Sequence, residues 1–382
     1  MQQPSAAITK YIDKVSEGSE NTGYQYLKRL EEFEKFVSQN YHFTVDELTI
    51  TKTFVTDIYE LLSNYVTYLV TKNSISNLTI KQKVTTVRNF FEYCDFEISP
   101  RKFKLKVKIP KAVRRRKDPL TKEDITKILE TCSNIKLKSF LMFLAVTGCR
   151  ATEGCSIQLS DIDFDKYKVN IRGEFTKTKE DRNVFLTEEL CQQLKLWLNY
   201  KYRTRTIYLK EKRKNHYFTP VRNGDDLVFS SDVYGKTDKK DLSGLYTTLL
   251  IQFEKTMDEL QVGYENSTKR RRKITLHSFR RYTKSTISDL GYADYSEWVL
   301  GHAGSPYYQK SDKEKFELFK KIMPYLTFLD QSGLEKQSAV LSDRLETMER
   351  ENIELKTNRR DLEKRLNRLE MLAKDFVKRK SG

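Results

Sequence analysis

Four stretches of the chain carry side chains able to act on a phosphodiester. Thr147-Gly-Cys-Arg150-Ala-Thr-Glu153 sets an arginine just past an apolar run, with a carboxylate three residues on. Lys177 and Lys179 lie in a charged turn ahead of Arg182. Leu276-His277-Ser-Phe-Arg280 sets a histidine and an arginine about one helical turn apart, and so on one face of a helix. Leu300-Gly301-His302 is followed by the pair Tyr307-Tyr308.

Cutting a phosphodiester without a metal needs three kinds of group. A nucleophile attacks phosphorus, cations stabilise charge growing on the non-bridging oxygens, and an acid protonates the leaving 5′ oxygen. Arginine suits the second task because its planar fork grips two oxygens and stays charged. Tyrosine suits the first where a covalent intermediate is held for later rejoining. No metal is expected: the four histidines lack zinc spacing, and the five cysteines (Cys94, Cys132, Cys149, Cys155, Cys191) form no Cys-x-x-Cys pair. They read as reduced, buried thiols. No Gly-rich phosphate loop is present, so no cofactor is expected.

These groups need elements to position them. Residues 20–110 read as a small basic helical domain, with residues 1–19 as a tail before it. Tyr26, Leu27, Leu30, Phe33 and Val37 mark one amphipathic helix. Phe54, Ile58, Leu61, Leu62, Tyr65, Val66 and Leu69 mark a second, and Val84, Val87, Phe90 and Phe91 a third. Lys81 and Arg88 lie between apolar positions and are candidate DNA contacts. Residues 101–118, dense in Lys and Arg, show no helical period and read as an extended basic linker. Its end, 111–118, holds the candidate DNA contacts Arg114, Arg115, Arg116 and Lys117. Such a tether touches phosphates without reading sequence.

A second domain is expected over 119–332. Thr121 and Asp124 form a capping-box pattern before Ile125, Ile128 and Leu129. A helix from Leu137 to Thr147 ends at Gly148. Val169, Ile171 and Val184 to Leu186 read as strands of one small sheet, and helices return at 190–198 and 242–260. Residues 201–222 and 269–273 read as basic loops. The fold class is mostly α with a small β-sheet, α+β. In residues 333–382, Leu334, Leu341, Met348, Leu355, Leu362, Leu369 and Phe376 recur every seven residues. Ser338, Leu345, Asn352, Arg359, Leu366 and Ala373 follow four residues after them, a heptad register that predicts a self-associating coiled coil.

The chain has 382 residues, enough for two or three domains, and hydrophobic residues make up 38% of it. Its net charge is +17, which calls for a polyanionic partner. No apolar run approaches the roughly 20 residues of a membrane span, and the N-terminus has no apolar signal region. A cytoplasmic, nucleoid-associated protein follows as the expectation.

Five residues in four motifs, in this order and approximate spacing, resemble the tyrosine recombinase (phage-type integrase) family. They are Arg150 in TGCRATE, Lys177 in FTKTKEDRNVFL, His277 and Arg280 in LHSFRR, and His302 in LGHAG. The tail YYQKSDKEKFELFKKIMPYLTFLD resembles archaeal members. The resemblance spans about residues 24–330, although its N-terminal part matches only in character.

It implies an integrase-like enzyme that cuts and rejoins DNA through a 3′-phosphotyrosine, with neither metal nor ATP. Arg150 and Arg280 would clamp the scissile phosphate, and His277 and His302 would bond to it or help move protons. Lys177, five residues before Arg182 as in the family's hairpin, would be the general acid. Glu153 would buttress the site. Many members place the tyrosine nine residues after the Gly-His histidine, where this chain has Ser311. Tyr307 is the preferred nucleophile and Tyr308 the second choice, while Tyr295 and Tyr325 fit poorly by spacing.

The implied partners are double-stranded DNA, clamped between the two domains, and further copies of the chain, four on two DNA sites. Three rivals stand beside this reading: a type IB topoisomerase-like enzyme, a non-catalytic DNA-binding protein derived from a recombinase, and a coiled-coil interaction protein. Integration of a mobile genetic element and resolution of chromosome dimers both remain open, as does delivery of the tyrosine in cis or in trans.

Overall fold

The computed structural model describes residues 5–51, 57–72, 75–112, 119–209, 214–231, 241–262 and 272–329, with isolated positions between 355 and 363. The chain divides into two compact units, Met1–Arg116 and Lys117–Gly382.

The first unit is helical: α1 (Ala6–Gly18), α2 (Glu20–Tyr41), α3 (Val45–Thr51), α4 (Ile58–Thr71), α5 (Asn77–Tyr93) and α6 (Pro100–Lys106). Short polar side chains start most of these helices by accepting orphan N–H groups: Ser5 from Ile8, Ser19 from Thr22, Asp57 from Tyr59 and Ser76 from Thr79. The apolar stripes converge on an aromatic centre in which Phe33 meets Tyr65 and Phe91 edge-on.

Two expectations for this unit need correction. Residues 1–19 are not simply a tail, because α1 buries Ile8 and Tyr11, and Asp46 accepts the N–H groups of Ala6 and Ala7. The stretch 101–118 is not wholly extended either. Ser99 caps α6 and Pro100 occupies its first turn, where a missing N–H costs nothing. Phe103 then turns toward the core, Lys102 and Lys104 are exposed, and the Lys106 amine pairs with Asp57.

The second unit is built around α8 (Ile135–Thr147), whose residues from Lys136 on are all buried. Before it comes α7 (Lys122–Thr131), started by the expected Thr121–Asp124 capping box, and after it the short α9 (Ala151–Cys155). Three antiparallel strands follow, β1 (Ile162–Asp163), β2 (Lys168–Ile171) and β3 (Arg182–Phe185), paired in that order with Val169 opposite Val184. Then come α10 (Glu188–Lys201), the strands β4 (Arg205–Leu209) and β5 (Lys214–Phe218), α11 (Asp241–Glu259), α12 (Leu276–Asp289), α13 (Ala293–Val299) and α14 (Asp312–Ile322). Both α10 and α12 pack on α8.

The expected single sheet is therefore two, since β4 and β5 pair as a separate hairpin inside the stretch read as a basic loop. Their alternation was hidden by the charges between them. The loop 269–273 lies mostly outside the described residues. So does nearly all of the heptad segment, of which Leu355 is helical and 67% exposed. Among the described residues no helix is long and apolar enough to cross a membrane.

Candidate active site

The site gathers where α8 ends. Gly148 caps that helix at φ +61°, a conformation that suits glycine, and its N–H bonds to the Leu144 carbonyl. The turn delivers Arg150 to the start of α9, with its side chain partly exposed. There the main-chain N–H of Arg150 donates to Glu153 Oε2 at 2.9 Å, and its guanidinium donates to Oε1 at 2.5 Å.

Glu153 is fully buried and accepts a third bond, 2.8 Å from Arg182 Nη2. Burial alone would push its carboxyl up. The Arg182 charge, with the bonds from Arg150 and Arg182, outweighs burial and holds it below the usual carboxylate range. Arg182 is itself buried on β3 and donates from Nε to the Val299 carbonyl at 3.1 Å. Its guanidinium lies against Gly301, where φ is +68° and a Cβ would sit 2.6 Å from Nη1. The glycine of Leu-Gly-His is thus required by an arginine far away in sequence.

Arg280 reaches the same place from α12. Its Nη1 donates to the Gly148 carbonyl and its Nη2 to the Leu300 carbonyl, both at 2.7 Å. Nη2 also lies 3.2 Å from His302 Nε2. Burial first, and then the like charge of Arg150, push the Arg280 pKa down to about 10, still charged at neutral pH. Arg150 and Arg182 pair with Glu153, while among the described residues Arg280 bonds only to carbonyls and His302, which leaves a positive excess that a phosphate would neutralise.

The guanidinium has only donors, so His302 Nε2 must accept, and Nδ1 then carries the proton. That proton points at Glu297, which Nδ1 contacts directly. Glu297 also pairs with Lys284 at 2.7 Å. The lysine bond, and then the histidine bond, outweigh desolvation and hold its carboxyl below the ordinary range.

His277 is exposed in the first turn of α12. Lys177 is exposed on the β2–β3 connection, whereas the amine of Lys179 is tied to the Glu174 carbonyl at 3.2 Å.

The tyrosine pair sits in a 3₁₀ turn, Pro306–Gln309. The Tyr307 ring packs edge-on against buried Tyr295 at 5.2 Å, with Lys310 over it. The Tyr308 hydroxyl is buried and has no hydrogen-bond partner. Burial raises its pKa; the Arg182 charge opposes this, and Glu180 and Glu153 add to it. Tyr308 also lines a cavity of about 660 Å³ with Glu180, Asp181 and Ser305.

The other expected DNA contacts are less concentrated. Lys81 is exposed on α5, while Arg88 pairs with Glu92 at 3.0 Å and lies over the Phe103 ring. Arg114, Arg115, Arg116 and Lys117 fall outside the described residues. Arg182 and Glu297 were not among the expected site residues. Arg182 sits between Asp181 and Asn183 in a charged run, so nothing local set it apart, and nothing in the sequence marked Glu297.

Residues 118–303 match the family model described as the phage integrase family. The chain carries a phage integrase family domain. That domain includes Arg150, Lys177, His277, Arg280 and His302, and it ends before the tyrosine pair.

Two curated relatives give the range of similarity around this integrase domain. Tyrosine recombinase XerA of Saccharolobus solfataricus is 30% identical over 132 residues, 35% of this chain and 42% of that protein. Tyrosine recombinase XerC of Bacillus subtilis is 25% identical over 201 residues, 50% of this chain and 61% of that protein. The matched regions thus span less than two thirds of either relative. Among solved structures, a lambda integrase tetramer bound to a Holliday junction shares the fold, with a TM-score of 0.50 and 13% identity over 81% of this chain and 80% of that one.

Proposed function

We propose that the protein is a site-specific DNA recombinase that cleaves and rejoins strands through a 3′-phosphotyrosine. The observation that carries this reading is the gathering of residues from three separate motifs within the integrase domain: Arg150 on buried Glu153, and Arg280 bonded to the Gly148 carbonyl at the same turn and to His302.

Arg150 and Arg280 hold the non-bridging oxygens of the scissile phosphate and stabilise the charge that grows there. His277 bonds to the same group, and His302, its Nε2 accepting from Arg280, holds that arginine in place. A tyrosine hydroxyl attacks phosphorus, a phosphotyrosine bond forms, and the bond to the 5′ oxygen breaks. Lys177 gives that oxygen its proton. A 5′ hydroxyl from another strand then attacks the phosphotyrosine, restores a phosphodiester and frees the tyrosine. One phosphoester replaces another in each step, so neither ATP nor a metal enters the balance.

The sequence reading favours Tyr307 as nucleophile; the Tyr308 hydroxyl is without a hydrogen-bond partner, on a residue that lines the cavity beside Glu180 and Asp181, and we assign Tyr308 that role. Its buried, protonated hydroxyl is the resting form, and engaging DNA must bring it to the phosphate.

Double-stranded DNA is the substrate. Exchange between two sites needs four protomers, which the heptad segment helps assemble, and the protein acts at the nucleoid. The test is strand exchange between two duplexes carrying the flanks of its own gene, in a chelator and without ATP. Recombinant product is expected. Relaxation of supercoiled DNA with no sequence preference and no exchange would favour a topoisomerase instead.

A further inference from the structure

A second basic cavity opens at the other end of α8. Its volume is about 490 Å³, and Lys136, Lys201, Arg203 and Arg205 line it beside Tyr200 and Gln252. That size falls within the roughly 300–1,000 Å³ typical of small-ligand sites. No carboxylate is among its lining residues. With 13 residues in α8, a rise of 1.5 Å per residue separates this end from the Arg150 end by about 20 Å.

The cations here are incompletely satisfied. Lys136 is 7% exposed, and its amine donates to Ser231 Oγ at 3.0 Å. No carboxylate among the described residues pairs with it, and burial pushes its pKa below the ordinary lysine range. An ammonium held away from water without a counter-charge is costly. Arg205 bonds through Nη2 to the Lys201 carbonyl at 2.9 Å, while its Nε is buried with no partner. Arg203 is fixed by the Tyr200 carbonyl at 2.7 Å and lies 3.8 Å from the Tyr200 ring centroid. These groups ask for an anion. Gln252 Oε1, buried and also without a partner, asks for a hydrogen-bond donor. A phosphodiester group alone supplies only the first, whereas a nucleotide supplies both, the donor coming from its sugar or base.

We propose that this cavity is a second phosphate site that takes a nucleotide, either free or as one unit of a nucleic-acid strand. The sequence around these lining residues is itself strongly basic. Between Lys201 and Arg222 the sequence holds eight Lys and Arg (201, 203, 205, 210, 212, 213, 214, 222) against one Glu (211). Catalysis at Arg150 and Arg280 does not depend on the site.

The experiment follows hydrogen exchange of the full chain at residues 133–137 and 197–205 during titration with ADP or a short single-stranded oligonucleotide. Saturable protection is expected with at least one probe. Protection by ADP identifies a free nucleotide; protection by the oligonucleotide alone identifies a strand. The double variant Arg203→Ala/Arg205→Ala is expected to weaken protection by at least about tenfold, or 1.4 kcal/mol, while covalent-adduct formation on cleavable DNA stays unchanged. Measuring adducts in the same samples separates failure of this site from failure of the recombinase reading. Lys136→Met, which removes the buried charge, is expected to abolish protection and raise Tm. No protection with either probe, equal protection in the double variant, or a lower Tm with protection retained in Lys136→Met would overturn the proposal.

Discussion

Glu153 joins two guanidinium groups and a main-chain N–H to one buried carboxylate. Glu153→Ala leaves Arg182 buried without its anion, which costs about 3–5 kcal/mol and is read from urea unfolding at neutral pH. The sign of the pH effect follows from the depressed pKa. The stability Glu153 contributes is complete above its unfolded value, near the 4.5 of a free glutamate, and is lost as pH falls through the lower folded value. A Glu153→Gln variant should therefore lose stability less steeply than the wild type as acid is added. Glu297 acts on His302 rather than on DNA. Removing a charge-assisted hydrogen bond is worth about 1.5–3 kcal/mol, so Glu297→Gln should slow cleavage by about 10- to 100-fold and shift its pH profile, while DNA affinity stays unchanged. An unaltered profile would mean that Glu297 only packs.

The β2–β3 connection carries Lys177, which is exposed. If Lys177 is the general acid, Lys177→Ala lowers cleavage by about 10²–10⁴-fold. A substrate with sulfur in place of the leaving 5′ oxygen restores the rate, because a thiolate leaves without a proton; failure of that rescue would remove Lys177 from the role. The helix α8 has a different task, to hold the turn at Gly148 in place. Phe143 is wholly buried within it, and Phe143→Ala should cost about 3–5 kcal/mol in urea unfolding. Elements with a strong period were legible in the sequence: the stripe of Leu61, Leu62, Tyr65, Val66 and Leu69, the Thr121–Asp124 cap, and the stop at Gly148. α1 was legible too, from Ile8, Tyr11, Ile12 and Val15, but its short stripe was passed over as a tail. Charge hid α6 and the β4–β5 hairpin, because lysine and arginine at exposed positions mask a period that one or two apolar residues carry. Local motifs pointed to Arg150, Arg280 and His302, whose side chains meet around the Gly148 turn, and to His277, which is exposed on α12. Contacts between distant segments, such as Arg182 against Gly301 and Glu297 beside His302, are set by tertiary packing and had no local signature.

Over the whole molecule, a charge of +17 implies that DNA affinity falls steeply with salt, with a log–log slope of about −0.9 for each phosphate contacted. A flat dependence would count against an extended DNA interface. Removing residues 334–382 should impair assembly on DNA and strand exchange while leaving single-strand cleavage intact. Unchanged assembly and exchange would end the role given to the heptads. The most direct test of the central claim is covalent trapping. The full chain is mixed with DNA carrying the flanks of its own gene and then denatured, and the DNA-linked peptide is mapped by mass spectrometry. A 3′-phosphodiester adduct on Tyr308, lost in Tyr308→Phe and kept in Tyr307→Phe, is the expected result; an adduct on Tyr307 would keep the chemistry and move the nucleophile. Tight binding to that DNA with no tyrosine adduct would contradict the account.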